Sequence, residues 1–141
     1  MKLCGFQKTT LLDYPGHIAA VLFTGGCNFR CPFCHNRELL PADAEAVFTA
    51  EEIINVLKKR AGILEGVCIT GGEPLLQPDI EDFIRSIRLK RAAQLLQGSR
   101  LPIVEIANRV GFSSPSYFSK CFREMFGMLP KQYAEESGRK E

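Results

Sequence analysis

The chain has 141 residues, 45% of them hydrophobic and 24% charged, with a formal net charge of +2, six cysteines and no tryptophan. That length admits one ordinary domain or two small ones, and the composition excludes collagen-like, low-complexity and strongly disordered chains. The longest apolar run, Ile18 to Phe23, is six residues, far short of the roughly 20 that a membrane helix needs.

The opening segment, MKLCGFQKTTLLDYPG, has no apolar stretch after its first lysine and does not read as a signal peptide. The expected compartment is a reducing cytoplasm, where cysteines serve as ligands or core residues rather than in disulfides. From Met1 to about Asp79 the apolar runs are short, β-rich and punctuated by glycine, which predicts strands over Ile18–Thr24 and Gly66–Thr70. Between them, Thr49 and Glu52 are spaced as a capping box, each satisfying an orphan backbone N–H of the other. Ile53, Val56, Leu57 and Ala61 follow at helical spacing. Strand, helix, strand makes a βαβ unit with a parallel pair.

Directly after the first predicted strand, a Gly25-Gly26 loop leads into Cys27, Cys31 and Cys34, three thiols within eight residues. Three close thiolates on a bend can hold a soft metal. A cubane iron–sulfur cluster with three cysteine ligands leaves one iron open to a small molecule. Zinc, with His35 as the fourth ligand, is the rival reading, and three buried cysteines the bland one. After the second strand comes Thr70-Gly71-Gly72-Glu73-Pro74. Paired glycines let a backbone approach a ligand at the carboxyl end of a parallel strand, the usual ligand side of such sheets; the same run also reads as a tight turn.

Taken together, GFQKTTLLDYPG, VLFTGGCNFRCPFCHN and TGGEPLLQ resemble the radical S-adenosylmethionine superfamily, nearest to the activating proteins of anaerobic ribonucleoside-triphosphate reductase, over residues 1 to about 87. The resemblance implies that Cys27, Cys31 and Cys34 ligate a 4Fe-4S cluster. It places Phe33 beside the adenine of S-adenosyl-L-methionine, and Gly71, Gly72 and Glu73 at the amino group of its methionine moiety. It implies reductive cleavage of the sulfonium to methionine and a 5′-deoxyadenosyl radical, which in the activating proteins takes a hydrogen from a glycine of a partner glycyl-radical reductase. The family builds a partial (β/α) barrel, and this sequence supplies only its first part. No further strand is expected after Pro78, so the pair would be open, with unpaired edges. No catalytic residue is assigned.

After Pro78 the pattern is helical. Leu89, Ala92, Ala93 and Leu96 form one stripe closed by Gly98; Ile103, Ile106, Ala107 and Val110 form a second ended by Gly111; Phe118, Cys121, Phe122 and Met125 form a third ended by Gly127. Pro130 to Glu136 reads as a last short helix, and SGRKE as a frayed tail. Residues 1–80 carry 7 Lys/Arg against 9 Asp/Glu, while residues 81–141 carry 11 against 7. This change of sign points to different partners for the two parts, the second a polyanion, unless the cations only solvate a helix face. Ser114-Pro115 suits a helix start, and Ser116, Tyr117, Ser119, Lys120 and Arg123 face away from the Phe118/Phe122 stripe. That arrangement suits a recognition helix in a DNA major groove, or an ordinary helical bundle.

The run IRLKRAAQLL with IVEIANRVGFSSPSYFSKCFREMFGMLPKQYAEE resembles the C-terminal part of AraC-type transcriptional regulators over about residues 82–136. It implies that Leu89–Leu96 lie on the helix linking two helix-turn-helix units and that Ile103–Phe126 form the second. DNA contacts would come from Ser114, Ser116, Tyr117, Ser119, Lys120 and Arg123, with Arg85, Arg88, Lys90 and Arg91 adding phosphate contacts. The first unit of that family is absent, so DNA binding is expected to be weak and salt-dependent.

The expected organisation is therefore α/β then all-α. A truncated radical SAM (β/α) barrel portion spans residues 1–84, and a helix-turn-helix DNA-binding unit spans 85–141. Three functions follow: a cluster- and S-adenosylmethionine-binding segment fused to a DNA-binding unit, a transcriptional regulator with a redox-sensing cluster, or a non-functional gene fusion. Cys4, Cys68 and Cys121 read as structural, His17 as having no evident partner, and His35 as lying just outside the cluster ligands.

Overall fold

A computed structural model describes residues 1–137 and divides the chain into two compact units, Met1–Phe83 and Ile84–Glu141. The expected fraying of the last residues concerns positions that, Ser137 apart, lie outside those described.

The first unit is built on a three-stranded sheet of order β1-β2-β3, formed by β1 (Leu3–Thr10), β2 (Ala19–Thr24) and β3 (Gly66–Gly71). Strands β2 and β3 run parallel in unbroken register from Ala19 opposite Gly66 to Thr24 opposite Gly71. Helix α1 (Ala50–Lys59) crosses between them, so the βαβ unit expected from the sequence is present. Its capping box is complete: the Thr49 hydroxyl accepts from the Glu52 amide at 3.2 Å, and Glu52 accepts from the Thr49 amide at 2.8 Å. The expectation of an open parallel pair is corrected by β1, which lines the other edge of β2 antiparallel. Only Leu3 and Thr10 of β1 are buried, so its own side chains carry no strong alternation. Pairing with β2 and a bridge from Leu3 to Phe48 hold it in place. Ala19, Ala20, Val21, Leu22, Ile53 and Leu64 fill the core, joined by Ile80 and Phe83 from the start of helix α2 (Ile80–Gly98).

In the second unit Leu89, Ala92, Ala93 and Leu96 of α2 pack with Ile106 and Ala107 of α3 (Ile103–Arg109) and with Phe118, Cys121 and Phe122 of α4 (Pro115–Phe126). Ala134 of α5 (Pro130–Glu136) completes this core. Helices α2 and α5 close where the sequence placed their ends. Gly111 (φ +87°) and Gly127 (φ +76°) adopt the left-handed backbone that favours glycine after α3 and α4. One stripe residue differs. Met125 is exposed, and Phe126 takes its place against Phe122 (ring centroids 4.5 Å) and Tyr133 of α5 (5.4 Å); four residues after Phe122 is one full turn, which keeps the ring on the buried face. Among the described residues no helix is long and apolar enough to cross a membrane.

Candidate cofactor loop and nucleic-acid interface

The carboxyl ends of β2 and β3 bring the two glycine-rich segments together. The Gly72 amide donates to the Thr24 carbonyl at 2.8 Å, and the Glu73 amide to the Gly26 carbonyl at 2.9 Å. The approach is so close that a Cβ on Gly72 would stand 2.1 Å from the Gly26 oxygen, and one on Gly71 (φ +108°) 2.5 Å from the Thr24 nitrogen. These glycines meet the backbone of Thr24 and Gly26, which leaves no room for a side chain at either position. The Glu73 carboxylate caps a 3-10 turn (Pro74–Leu76) by accepting from the Leu75 amide at 3.0 Å.

Gln77, the last residue of the TGGEPLLQ run, ties this region together. Its side-chain nitrogen donates to the Gly25 carbonyl at 2.8 Å and its oxygen accepts from the Lys2 amide at 2.8 Å. Gln77 is buried with both ends of its amide satisfied, and it holds the root of the cysteine loop against β1. The signal in the sequence is its place at the end of the TGGEPLLQ run, directly after the turn at Pro74–Leu76.

The loop itself is pinched shut where Gly26 donates to the Leu39 carbonyl (2.8 Å) and Cys27 to the Leu40 carbonyl (3.1 Å). Within it, Arg30 donates to the Cys27 and Phe29 carbonyls, Arg37 to the Pro32 carbonyl, and the Cys34 amide to the Cys31 carbonyl. Cys27, Cys31 and Cys34 are free thiols, Cys31 exposed and the other two half-buried, and the Phe33 ring is 79% exposed. Among the described residues no three His, Cys, Asp or Glu side chains are gathered as a metal site. As a donor set, three unpaired thiols on one pinned loop fit the soft-ligand demand of an iron–sulfur cluster. Burial pushes the Cys4 and Cys68 thiols up, the latter with help from Asp13, and so away from the thiolate a metal needs. His17, for which the sequence showed no partner, stacks on Tyr14 (4.3 Å) with Nδ1 3.6 Å from the Glu65 carboxylate.

In the second unit, the Ser114 hydroxyl caps α4 by accepting from the Tyr117 amide at 3.3 Å, and Ser119 donates back to the Pro115 carbonyl at 2.9 Å. Two of the six expected DNA contacts are thus engaged in holding the helix. Ser116, Tyr117, Lys120 and Arg123 lie exposed on α4, with Lys120 4.0 Å from Glu124. A hydrogen bond with Cys121 is the main cause that raises the Tyr117 hydroxyl above its ordinary value, Arg85 acting the other way. Arg88 on α2 donates to the Gly111 carbonyl at 3.0 Å.

Two family models match the chain, and their matches overlap over residues 76–100. The family described as 4Fe-4S single cluster domain matches residues 13–100, and the helix-turn-helix domain family matches residues 76–136. A putative glycyl-radical enzyme activating enzyme of Methanocaldococcus jannaschii is 37% identical over 75 residues, 53% of this chain and 30% of that protein. The HTH-type transcriptional regulator GlxA of Rhizobium meliloti is 47% identical over 57 residues, 40% of this chain and 18% of that protein. Among solved structures, an AraC-type regulator from Chromobacterium violaceum aligns at a TM-score of 0.40 with 24% identity, covering 68% of this chain and 72% of that one. The chain spans less than a third of the length of these curated relatives.

Proposed function

Because the chain belongs to the 4Fe-4S single cluster domain family and also matches a helix-turn-helix domain family over residues 76–136, we propose that it binds a 4Fe-4S cluster and S-adenosyl-L-methionine through its first unit and duplex DNA through its second. Cys27, Cys31 and Cys34 would hold the cluster, with Phe33, Gly71, Gly72 and Glu73 about the nucleoside and methionine moieties. The observation that carries this reading is the joining of the cysteine loop to the Gly71-Gly72-Glu73 segment at the carboxyl ends of two parallel strands, by hydrogen bonds from Gly72 to Thr24 and from Glu73 to Gly26. Parallel sheets bind ligands at that end. When bound, the cluster supplies one-electron chemistry. The chain's own contribution is to hold the loop root fixed through Gly25, Gly26 and Gln77.

On the DNA side, α4 would enter the major groove with Ser116 and Tyr117 near its start and Lys120 and Arg123 further along, base edges first and phosphates after. Arg123 and Lys120 supply charge that does not specify sequence, so affinity falls as salt rises. The presence of both units in one chain favours a second reading, a regulator whose DNA affinity follows the oxidation state of the cluster.

The test is anaerobic reconstitution with iron and sulfide, followed by EPR of the dithionite-reduced chain with and without S-adenosylmethionine. The expected result is a reduced-cluster signal that changes on adding S-adenosylmethionine and is absent from a variant with Cys27, Cys31 and Cys34 all changed to Ser. Iron content that survives this triple substitution would overturn the assignment. DNA binding measured on oxidised and reduced protein separates the regulator reading from two independent activities.

A further inference from the structure

We infer that Arg88 is a positioning residue for the candidate recognition helix α4, acting through the turn at Gly111 rather than by touching DNA; the functional half of this inference rests on the DNA-binding reading above. Arg88 lies on α2 beside Leu89, which is 1% exposed and packs in the core of the second unit, so its backbone is firmly anchored. Its side chain is exposed to solvent, yet Nη1 donates to the Gly111 carbonyl at 3.0 Å. That carbonyl belongs to the residue where the chain leaves α3 and turns toward α4, and it accepts a charge-assisted hydrogen bond there.

The contact is more than one hydrogen bond. A Cβ built on Gly111 would fall 3.0 Å from the guanidinium carbon and 3.2 Å from both Nε and Nη2. The planar group therefore lies against the open face of the glycine, whose φ of +87° already disfavours a side chain. The turn then directs α4 through Phe112. Its amide donates to the Ala107 carbonyl at 2.9 Å, and its ring packs 5.3 Å from Phe118 and 6.1 Å from Tyr117. Holding the Gly111 carbonyl thus fixes where Phe112 sits, and Phe112 fixes the first turn of α4.

A phosphate-contacting arginine and a positioning arginine differ in one measurable respect. Removing a phosphate contact lowers the slope of log affinity against log salt by about one; removing a positioning bond weakens binding at every salt concentration and leaves the slope alone. The experiment uses the full chain with Arg88→Ala and Arg88→Lys. It measures binding to a mixed-sequence fluorescent DNA duplex across a salt series, and NMR amide exchange at Phe112 and Tyr117 without DNA. Arg88→Ala is expected to bind about tenfold more weakly at all salt concentrations with an unchanged slope. Exchange should quicken at Phe112 and Tyr117 while Ala92 and Leu96 stay protected. Arg88→Lys, which keeps the charge but not the planar fork, is expected between the two in both measurements. A slope reduced by about one, or unchanged exchange at Phe112 and Tyr117, would overturn the inference. If the unsubstituted chain binds no duplex, the DNA-binding reading falls by itself. The exchange measurement then decides alone whether Arg88 holds the turn.

Discussion

The two units reach order by different means. The second is held by side chains: Phe112, Phe118, Phe122, Phe126 and Tyr133 form a run of ring contacts between 4.5 and 5.7 Å, resting on the small residues Ala92, Ala93 and Ala107. The first is held to a greater degree by backbone, through the β1-β2-β3 ladders and the close passage of Gly72 over Gly26. Its apolar side chains are less fully used. Leu11, Leu12, Tyr14, Phe29, Phe33, Val47, Ile63, Leu75 and Leu76 are exposed, against Val104, Tyr117, Met125 and Leu129 in the second unit. A unit stabilised by buried rings tolerates changes in its loops but not in its core. A unit stabilised by backbone approach is sensitive wherever a side chain would intrude between strands.

The sharpest way to break the contrast is in the ring cluster. Phe122 is fully buried and touches Phe118, Phe126 and Tyr133. Phe122→Ala removes a whole ring, which costs about 4 kcal/mol. A small helical unit with a few kcal/mol of stability should lose its cooperative transition. Unit-resolved amide exchange is the check: protection should collapse over α2 from Leu89 onward and over α3 to α5, while Ala20–Leu22 stay protected. Loss in both units at once would mean that they fold as one body.

The matching test in the first unit adds a single methyl group. Gly72→Ala places a Cβ against the Gly26 carbonyl at a distance no relaxed structure shows, and both partners are backbone, so neither can simply rotate away. The expected cost is about 3 kcal/mol, with the cysteine loop released from β3 and iron loading reduced accordingly. Gly62→Ala is the control, because nothing lies within 4 Å of a Cβ there. Equal melting temperatures for the two variants would show that the backbone approach contributes little.

The same difference explains what was legible in the sequence. Side-chain packing writes itself as periodicity, so Leu89, Ala92, Ala93 and Leu96, the helix over Pro130–Glu136 and the turn glycines Gly111 and Gly127 could all be read directly. Periodicity does not separate Met125 from Phe126, because one helical turn admits either of two neighbours, and the position of Tyr133 decides for Phe126. Backbone pairing writes no such pattern. Strand β1 buries only its two ends and owes its place to β2 and Phe48, while Gln77 acquires its role from Gly25, distant in sequence. At the candidate site, the cysteine spacing and the paired glycines were visible as motifs. That Gly71 and Gly72 are required against Thr24 and Gly26 depends on a meeting of segments more than forty residues apart, which no local pattern records. Arg88 was legible as a cation on a basic helix, but its hold on Gly111 was not.

The smallest expected effect concerns a local, readable signal of the first unit, the start of α1. Thr49 and Glu52 close the start of α1 reciprocally, and the Thr49 hydroxyl also donates to the Glu52 carboxylate at 2.9 Å. The hydrogen bond from the Thr49 backbone, followed by that from its hydroxyl, lowers the Glu52 carboxyl below its ordinary value. A carboxylate lowered by folding stabilises the fold above its unfolded-state pKa, and that contribution is lost as pH falls through the lowered value. Thr49→Ala is expected to cost about 1 kcal/mol at neutral pH. It should shrink the acid-side dependence without removing it, because the residue 49 amide still donates to Glu52. Glu52→Gln should remove it altogether. Exchange of the Ile53 and Ile54 amides followed from neutral to acid pH reads both effects. If Thr49→Ala and Glu52→Gln show the same pH dependence as the parent chain, the capping box does not hold α1 in solution, and packing of Ile53 and Ile54 alone fixes the helix.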